Sequence, residues 1–130
     1  MARPNISGSS AAIETIADDK TLGRADSGKI FLIGTDAKTI TLPATEKGIE
    51  YTFINSGADG AVLISISPNA NDAIHGTTGA TTNVVLSGVD DKDLLNTKAT
   101  ATTGDSCKLV ADGVVGWYLV SCTGIWASES

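Results

Sequence analysis

The chain has 130 residues, a formal net charge of -6 and a charged fraction of 18%, while 42% of its residues are hydrophobic. This length is typical of one domain with one core. The negative charge argues against nucleic acid as a partner, because phosphate binding normally needs a face of lysine and arginine. No apolar run approaches the roughly 20 residues that cross a bilayer, and the first ten residues lack the core of a secretory signal. We therefore expect that the protein is made in the cytoplasm and does not associate with a membrane.

The first residues predict an extended N-terminal arm, placed at 1–14, followed by one β-rich domain at 15–130. The stretch before about residue 12 is rich in Ser, Gly and Ala and has no periodicity. Residues 11–17 could form a short helix, but the turn signal Asp18-Asp19 follows them and favours extended structure. An arm of this composition can become ordered on a partner subunit.

Four β-branched or aromatic runs follow, separated by Gly, Asp, Asn and Pro. They predict strands at residues 29–33, 39–42, 49–54 and 62–66. Ile49, Tyr51 and Phe53 share one pleat face of the third run, so we expect this face to lie in the core. The turn-forming residues after the third run predict that it pairs with the fourth run as a hairpin.

The next part of the chain predicts loops and short strands. Its expected elements are a surface loop at 68–82, a strand at 83–86, a charged turn at 88–93 and loop or weak strand at 98–104. A helix over residues 91–99 is the alternative for the end of this part.

The C-terminal part predicts a hairpin that joins residues 105–111 to residues 117–123 across a Gly-flanked loop. With a four-residue loop, Ala111 faces Tyr118 and Cys107 faces Cys122. A cross-strand disulfide is then conceivable, although two buried thiols are favoured in a reducing cytosol. Taken with the earlier strands, the hairpin predicts an all-β fold, either a single antiparallel β-sandwich or a barrel-like domain.

Residues 23–30, Gly-Arg-Ala-Asp-Ser-Gly-Lys-Ile, match most of the phosphate-binding pattern G-x-x-x-x-G-K-[ST]. Ile30 stands where the pattern needs a hydroxyl for magnesium, and Lys29 opens a strand rather than a helix. The segment therefore predicts a structural turn.

No pattern predicts a catalytic, cofactor-binding or metal-binding residue. His75 is the single histidine, and no nucleophile pattern accompanies it or the nearby Asp72. The acidic cluster at 90–93 lacks the alternation and the distant Glu of a calcium loop, so it predicts a solvated turn. The glutamates give no hint of a paired glycosidase site: Glu14, Glu46, Glu50 and Glu129.

Two tryptophans are the large aromatic anchors of the chain. Trp117 follows a Gly at the start of a strand, so we expect it to be mostly buried. For Trp126 two places are open, the core or a contact between subunits, since Trp is enriched at interface hot spots.

Several segments carry a resemblance when they are taken in order. The opening ones are Ala25-Asp26-Ser27-Gly28-Lys29-Ile30-Phe31, Thr39-Ile40-Thr41-Leu42-Pro43-Ala44 and Gly48-Ile49-Glu50-Tyr51-Thr52-Phe53-Ile54. The later ones are Asp72-Ala73-Ile74-His75-Gly76, residues 104–113, Gly116-Trp117-Tyr118-Leu119-Val120 and Gly124-Ile125-Trp126. In this order, from about Leu22 to Trp126, the chain resembles small β-rich virion proteins of tailed bacteriophages, cyanophages included.

The resemblance implies a capsid decoration, or cement, protein that binds the outer surface of the phage head and bridges capsid subunits. It implies the major capsid protein as partner, a homotrimer, a place on the virion surface and no enzymatic step. The alternative is a head- or tail-fibre module that binds a host receptor or glycan through an exposed aromatic platform at Tyr118, Trp126 or residues 71–75. A small hydrolase, with His75 beside a carboxylate in a pocket, is the third possibility.

Overall fold

A computed structural model of the protein describes residues 12–78, 84–85 and 88–129. These residues are rich in strand, and the only helices among them are two 3₁₀ helices, at Arg24–Asp26 and Lys98–Thr100. The prediction of an all-β fold is therefore confirmed. The strands are β1 (Ile13–Ile16), β2 (Lys20–Thr21), β3 (Ile30–Ile33), β4 (Lys38–Thr41), β5 (Glu50–Asn55), β6 (Ile64–Ser67), β7 (Ala73–His75), β8 (Thr77–Thr78), β9 (Val84–Val85), β10 (Leu94–Asn96), β11 (Ser106–Ala111), β12 (Gly116–Thr123) and β13 (Trp126–Ser128).

Most of these strands belong to two sheets. Sheet A has the order β1-β3-β5-β11-β12-β7, sheet B has the order β13-β10-β6-β4-β2, and β8 pairs with β9. In sheet A, β1, β3 and β5 are parallel, whereas β11 is antiparallel to β5 and β12. In sheet B, β2, β4 and β6 are parallel, whereas β10 is antiparallel to β6 and β13. The prediction of a purely antiparallel domain is therefore wrong, because the pairing is mixed.

The parallel pairing arises from the way the first half of the chain winds. The odd strands β1, β3 and β5 lie in sheet A, and the even strands β2, β4 and β6 lie in sheet B. Since the chain crosses to the other sheet after each strand, two successive strands of one sheet run in the same direction. Residues 13–67 thus make three turns around a shared core.

This winding shows that the predicted hairpin between residues 49–54 and 62–66 is wrong. These residues form β5 and β6, which lie in different sheets. The link between them passes over one end of the core, where the buried Asn55 donates from Nδ2 to the Val62 carbonyl over 3.2 Å. Alternation of apolar residues identifies the buried face of a strand but does not identify its partner.

The C-terminal hairpin is confirmed, with a difference in register. Cys107 faces Cys122 as predicted, but Ala111 faces Trp117 and not Tyr118. The register shifts between Lys108 and Leu109, so Val120 is the extra residue of a β-bulge. Because of the bulge, the pairing register near the turn differs by one residue from the register near the cysteines.

The core lies between the inward faces of the two sheets and contains both tryptophans. Phe31 stacks on Phe53 with ring centroids 5.7 Å apart, and Tyr51 stacks on Trp117 at 5.5 Å. All four rings are fully buried, which confirms the prediction that the Tyr51 and Phe53 face lies in the core. Sheet B contributes Trp126 of β13 and aliphatic side chains, namely Ile40, Ile64, Ile66 and Leu94.

Other predictions fall partly on described residues. Residues 13 and 14, the end of the predicted arm, are the first two of β1, and residues 1–11 lie outside the described part. The predicted loop at 68–82 contains β7 and β8, and its residues 79–82 are not described. The predicted strand at 83–86 is described only at β9. Residues 91–99 contain β10 in place of the alternative helix, and only residues 98 and 99 belong to the 3₁₀ helix at Lys98–Thr100.

Candidate functional site

The outward face of β12 exposes large apolar side chains. Trp117 points into the core, so its neighbour Tyr118 points outward and is 43% exposed. Val120, the extra residue of the bulge, is 55% exposed. Val120 continues the alternation from Tyr118, and the bulge then leaves the next residue, Ser121, exposed on the outward face as well.

The turn before β12 is held by the side chain of Asp112 and exposes two more apolar side chains. Asp112 Oδ1 accepts the N–H groups of Val114, Val115 and Gly116 over 2.8, 3.0 and 3.0 Å. These hydrogen bonds lower the pKa of Asp112, because they stabilise the carboxylate form. Val114 is 81% exposed at the tip, and Val115 beside it is also exposed.

Thr45 attaches this turn to the rest of the domain. Its hydroxyl donates to the Gly116 carbonyl over 2.6 Å and accepts the Gly113 N–H over 3.0 Å. Its own N–H donates to Asp72 Oδ2 over 2.7 Å. Because the turn is fixed on both sides, the two valines are presented on a rigid support.

His75 lies next to Tyr118 on the same face. β7 is parallel to β12, with His75 directly opposite Tyr118, and the two rings stack with centroids 5.6 Å apart. Gly88 lies against the imidazole, since a Cβ there would be 2.9 Å from Nδ1. We call His75, Val114, Val115, Tyr118 and Val120 the β12 patch.

The five side chains of the β12 patch carry no carboxylate or ammonium group, although the Asp112 carboxylate lies in the turn that carries Val114 and Val115. Two further charges on this face are paired with each other. Tyr118 faces Val110, and Val110 faces Glu50 across the next strand pair. The Glu50 carboxylate accepts Lys108 Nζ over 3.3 Å. The patch is therefore an apolar and aromatic surface beside a neutralised ion pair.

The described residues form no pocket, and no group of three or more His, Cys, Asp or Glu side chains among them could hold a metal ion. No helix in the described ranges is long and apolar enough to cross a membrane. The β12 patch is thus an open surface, whose available chemistry is contact and stacking.

The segment that resembles a phosphate-binding loop is a turn that leads into β3, as predicted. Arg24–Asp26 form a 3₁₀ helix, and the Gly28 N–H donates to the Glu50 carbonyl over 2.8 Å. Lys29 Nζ contacts the carboxylates of Asp26 at 2.8 Å and Glu14 at 3.1 Å. This lysine therefore belongs to an ion-pair cluster.

Other carboxylates named from the sequence also have structural contacts. Asp72 is buried and accepts the Thr45 N–H, so it does not form a dyad with His75 through that oxygen. In the acidic cluster, the Asp91 N–H donates to the Asp72 carbonyl and the Asp93 N–H donates to Glu129 Oε1. Burial is the main cause that raises the pKa of Asp93. Asp72 and Glu129 thus accept hydrogen bonds through their carboxylates, whereas Asp91 and Asp93 donate through their backbone N–H groups.

The two tryptophans lie in the core, which confirms the prediction for Trp117. Trp126 is fully buried within the chain, and its Nε1 donates to the Thr123 carbonyl over 3.1 Å. It is therefore not part of an exposed platform. Of the aromatic residues named for surface recognition, the structure brings together His75 and Tyr118.

Sequence reasoning missed the three valines of the β12 patch. The sequence predicts only a loop for Val114 and Val115, although two consecutive valines between glycines are an unusual apolar content for an exposed turn. Val120 lies two residues after Tyr118, so the alternation from the buried Trp117 is the sequence signal that places it outward. No protein-family model matches the chain, and a search of curated proteins finds no match.

Proposed function

We propose that the chain is a structural virion protein that decorates the outer surface of a bacteriophage head and cements the shell by bridging capsid subunits. The observation that carries the proposal is the β12 patch, an exposed apolar surface on a rigid hairpin. Such patches on otherwise polar proteins mark interaction sites. The resemblance to small phage virion proteins supplies the class of partner, which is the major capsid protein.

The shape and charge of the surface favour a protein partner. The β12 patch is open, uncharged and centred on a tyrosine, and protein interfaces have apolar cores enriched in tyrosine and depleted of charge. The net charge of -6 disfavours nucleic acid. On this proposal the two sheets are the layers of a β-sandwich that acts as a support, and the role needs no catalytic step or cofactor.

The presence of several copies of the β12 patch in one oligomer would strengthen the attachment to the capsid. The proposed unit is a homotrimer made in the host cytoplasm and attached to the capsid surface. Three patches of one trimer would engage neighbouring capsid subunits together, so a modest contact at each patch becomes strong attachment through multivalency.

The first test is stoichiometry in purified virions that contain this chain. Quantitative mass spectrometry should find many copies per virion, and electron microscopy should place them at repeated lattice sites. A few copies at a single vertex would favour a fibre component, and absence from the virion would overturn the proposal.

The second test is binding of variants to capsids stripped of the chain. Tyr118→Ser combined with Val114→Ser should weaken binding by about tenfold or more, since hot-spot side chains dominate interface energy. Ile125→Ser is the matched control, because Ile125 is 42% exposed and lies beyond the other end of β12, roughly 25 Å from Val114 along the strand. Equal binding of the double variant and the control would exclude the β12 patch as the contact.

The stacked pair of His75 and Tyr118 favours a second candidate function, a fibre module that binds a host receptor or glycan. An exposed aromatic ring with polar ring atoms can pack on a sugar and hydrogen-bond to its hydroxyls. Glycan-array binding that Tyr118→Ser removes would support this candidate over decoration.

A further inference from the structure

We propose that Cys107 and Cys122 form a thiol–disulfide modification site, which small disulfides such as oxidised glutathione convert into a cross-strand bond. The proposal depends on the hairpin geometry and on the exposure of the two thiols, and it is independent of the proposed virion role. In the structure the two residues are thiols and face each other across β11 and β12.

The backbone hydrogen bonds show which kind of facing pair they form. The Ala111 N–H donates to the Ile49 carbonyl over 2.8 Å, and the Asp105 carbonyl accepts the Asn55 N–H over 2.7 Å, so both residues direct these groups toward β5. The N–H and carbonyl groups of successive residues in a strand point to opposite sides, and Cys107 is an even number of residues from both Asp105 and Ala111. Cys107 therefore also directs its N–H and carbonyl toward β5, away from β12.

Cys107 and Cys122 are consequently a non-hydrogen-bonded pair of an antiparallel ladder. Facing Cα atoms in such pairs are about 4.5 Å apart, closer than in hydrogen-bonded pairs. Disulfides need Cα atoms roughly 4.4 to 6.8 Å apart. The pair therefore meets the distance requirement without a change of register, because the bulge lies on the other side of Lys108.

The two thiols differ in access, which assigns their order of reaction. Cys107 is 1% exposed, and burial is the main cause that raises its pKa, so it is a poor first nucleophile. Cys122 is only partly buried, at the margin of the core. Cys122 is thus the entry thiol, and Cys107 is the thiol that resolves the mixed disulfide.

The two exchange steps balance. The Cys122 thiolate attacks one sulfur of oxidised glutathione, forms a mixed disulfide and releases one glutathione. Cys107 then gives its proton to solvent and attacks Cys122 Sγ, which forms the protein disulfide and releases the second glutathione. Two cysteine thiols are oxidised by two electrons, and one glutathione disulfide is reduced to two thiols.

The test incubates the purified full-length protein with oxidised glutathione under native conditions and follows intact mass. We expect the final product to lack two hydrogens, to carry no glutathione and to resist alkylation until it is reduced. Its thermal midpoint should rise by about 5 °C or more, since the bond constrains the loop between the cysteines in the unfolded chain.

Two single variants separate this pathway from nonspecific oxidation. Cys107→Ser should stop at the glutathione adduct on Cys122, whereas Cys122→Ser should leave Cys107 unmodified for at least about ten times longer. A wild-type reaction that ends at the mixed disulfide, or that yields only disulfide-linked dimers, would overturn the proposal. So would thiols that both remain open to alkylation after the incubation.

Discussion

Asn55 in sheet A donates from its side-chain Nδ2 to Asn96 Oδ1 in sheet B over 2.7 Å, and both amides are buried. This bond joins the two sheets at one end of the core. Asn96 continues the network, since its Nδ2 donates to Asp105 Oδ2 and to the Ile125 carbonyl, each over 3.1 Å. A buried polar network of this kind stabilises one arrangement of the sheets when its members are satisfied.

Asn96→Ala should destabilise the protein by about 2–4 kcal/mol, because it leaves the buried Asn55 amide and Asp105 carboxylate short of partners. Urea denaturation followed by tryptophan fluorescence measures this change. Asn71→Ala is the matched control, because Asn71 is exposed in a loop, and its cost should stay within about 0.5 kcal/mol. Similar costs for the two variants would show that the network contributes little.

The two buried indoles predict a difference between Trp117→Phe and Trp126→Phe. Trp126 Nε1 has a carbonyl partner at Thr123, whereas Trp117 Nε1 has none among the described residues. Both changes remove similar apolar volume from fully buried sites. Trp126→Phe should therefore cost about 1 kcal/mol more free energy of unfolding than Trp117→Phe. The reverse order in chemical denaturation would contradict this assignment of the hydrogen bond.

Acid should weaken the ion-pair cluster of Glu14, Asp26, Lys20 and Lys29. Hydrogen bonds from Lys20 and Lys29 lower the pKa of Glu14, and a hydrogen bond from Lys29 lowers that of Asp26. The ordinary values are 4.5 and 3.8, so the stabilisation is complete above these pH values and is lost as pH falls through the lower folded pKa values.

Thermal melts between pH 2 and pH 7 measure this loss. Glu14→Gln should make the decline on the acid side shallower. Asp93→Asn is the control of opposite sign, because burial raises the pKa of Asp93 and its protonation favours the folded state. Removing Asp93 should steepen the acid decline, and an unchanged slope in both variants would exclude these groups as its source.

Gly116→Ala should destabilise the hairpin strongly. Gly116 has a φ of +141°, and an added Cβ would lie 2.1 Å from the Ala73 carbonyl oxygen. We expect a loss of at least about 3 kcal/mol or failure to fold, since neither the backbone angle nor the neighbouring strand can accommodate the methyl group. Gly23→Ala is the control, because no atom lies within 4 Å of its added Cβ. A mild effect at Gly116 would show that β7 can separate from β12.

Strand pairs whose partners are close in the sequence were predictable, and pairs whose partners are far apart in the sequence were not. The hairpin of β11 and β12 was predictable, because its partners are near in sequence and glycines mark its turn. The parallel pairs join residues such as Ile13 with Ile30 and Lys38 with Ile64, and no local signal identifies a partner so far away. The same alternation of apolar residues fits either a hairpin or a crossing between sheets.

The candidate site was predictable only in part. Tyr118 and residues near His75 were named as surface aromatics, but their stacking depends on β7 lying parallel to β12. The sequence does not decide whether Trp126 lies in the core or at an interface, because its environment depends on β10 and on the turn at Thr123. The Asp112 turn is local, but its attachment to the domain depends on Thr45, which lies far from it in the sequence.

The strand order of the two sheets has a consequence for synthesis on the ribosome. β5 lies between β3 and β11, and β6 lies between β4 and β10. When the first three turns have emerged, both strands still expose an unpaired edge, and such edges invite aggregation. The edges close only after residues 94–111 leave the exit tunnel. A nascent chain that stalls after residue 67 and before residue 94 would expose both edges, so we expect such stalls to favour aggregation over folding.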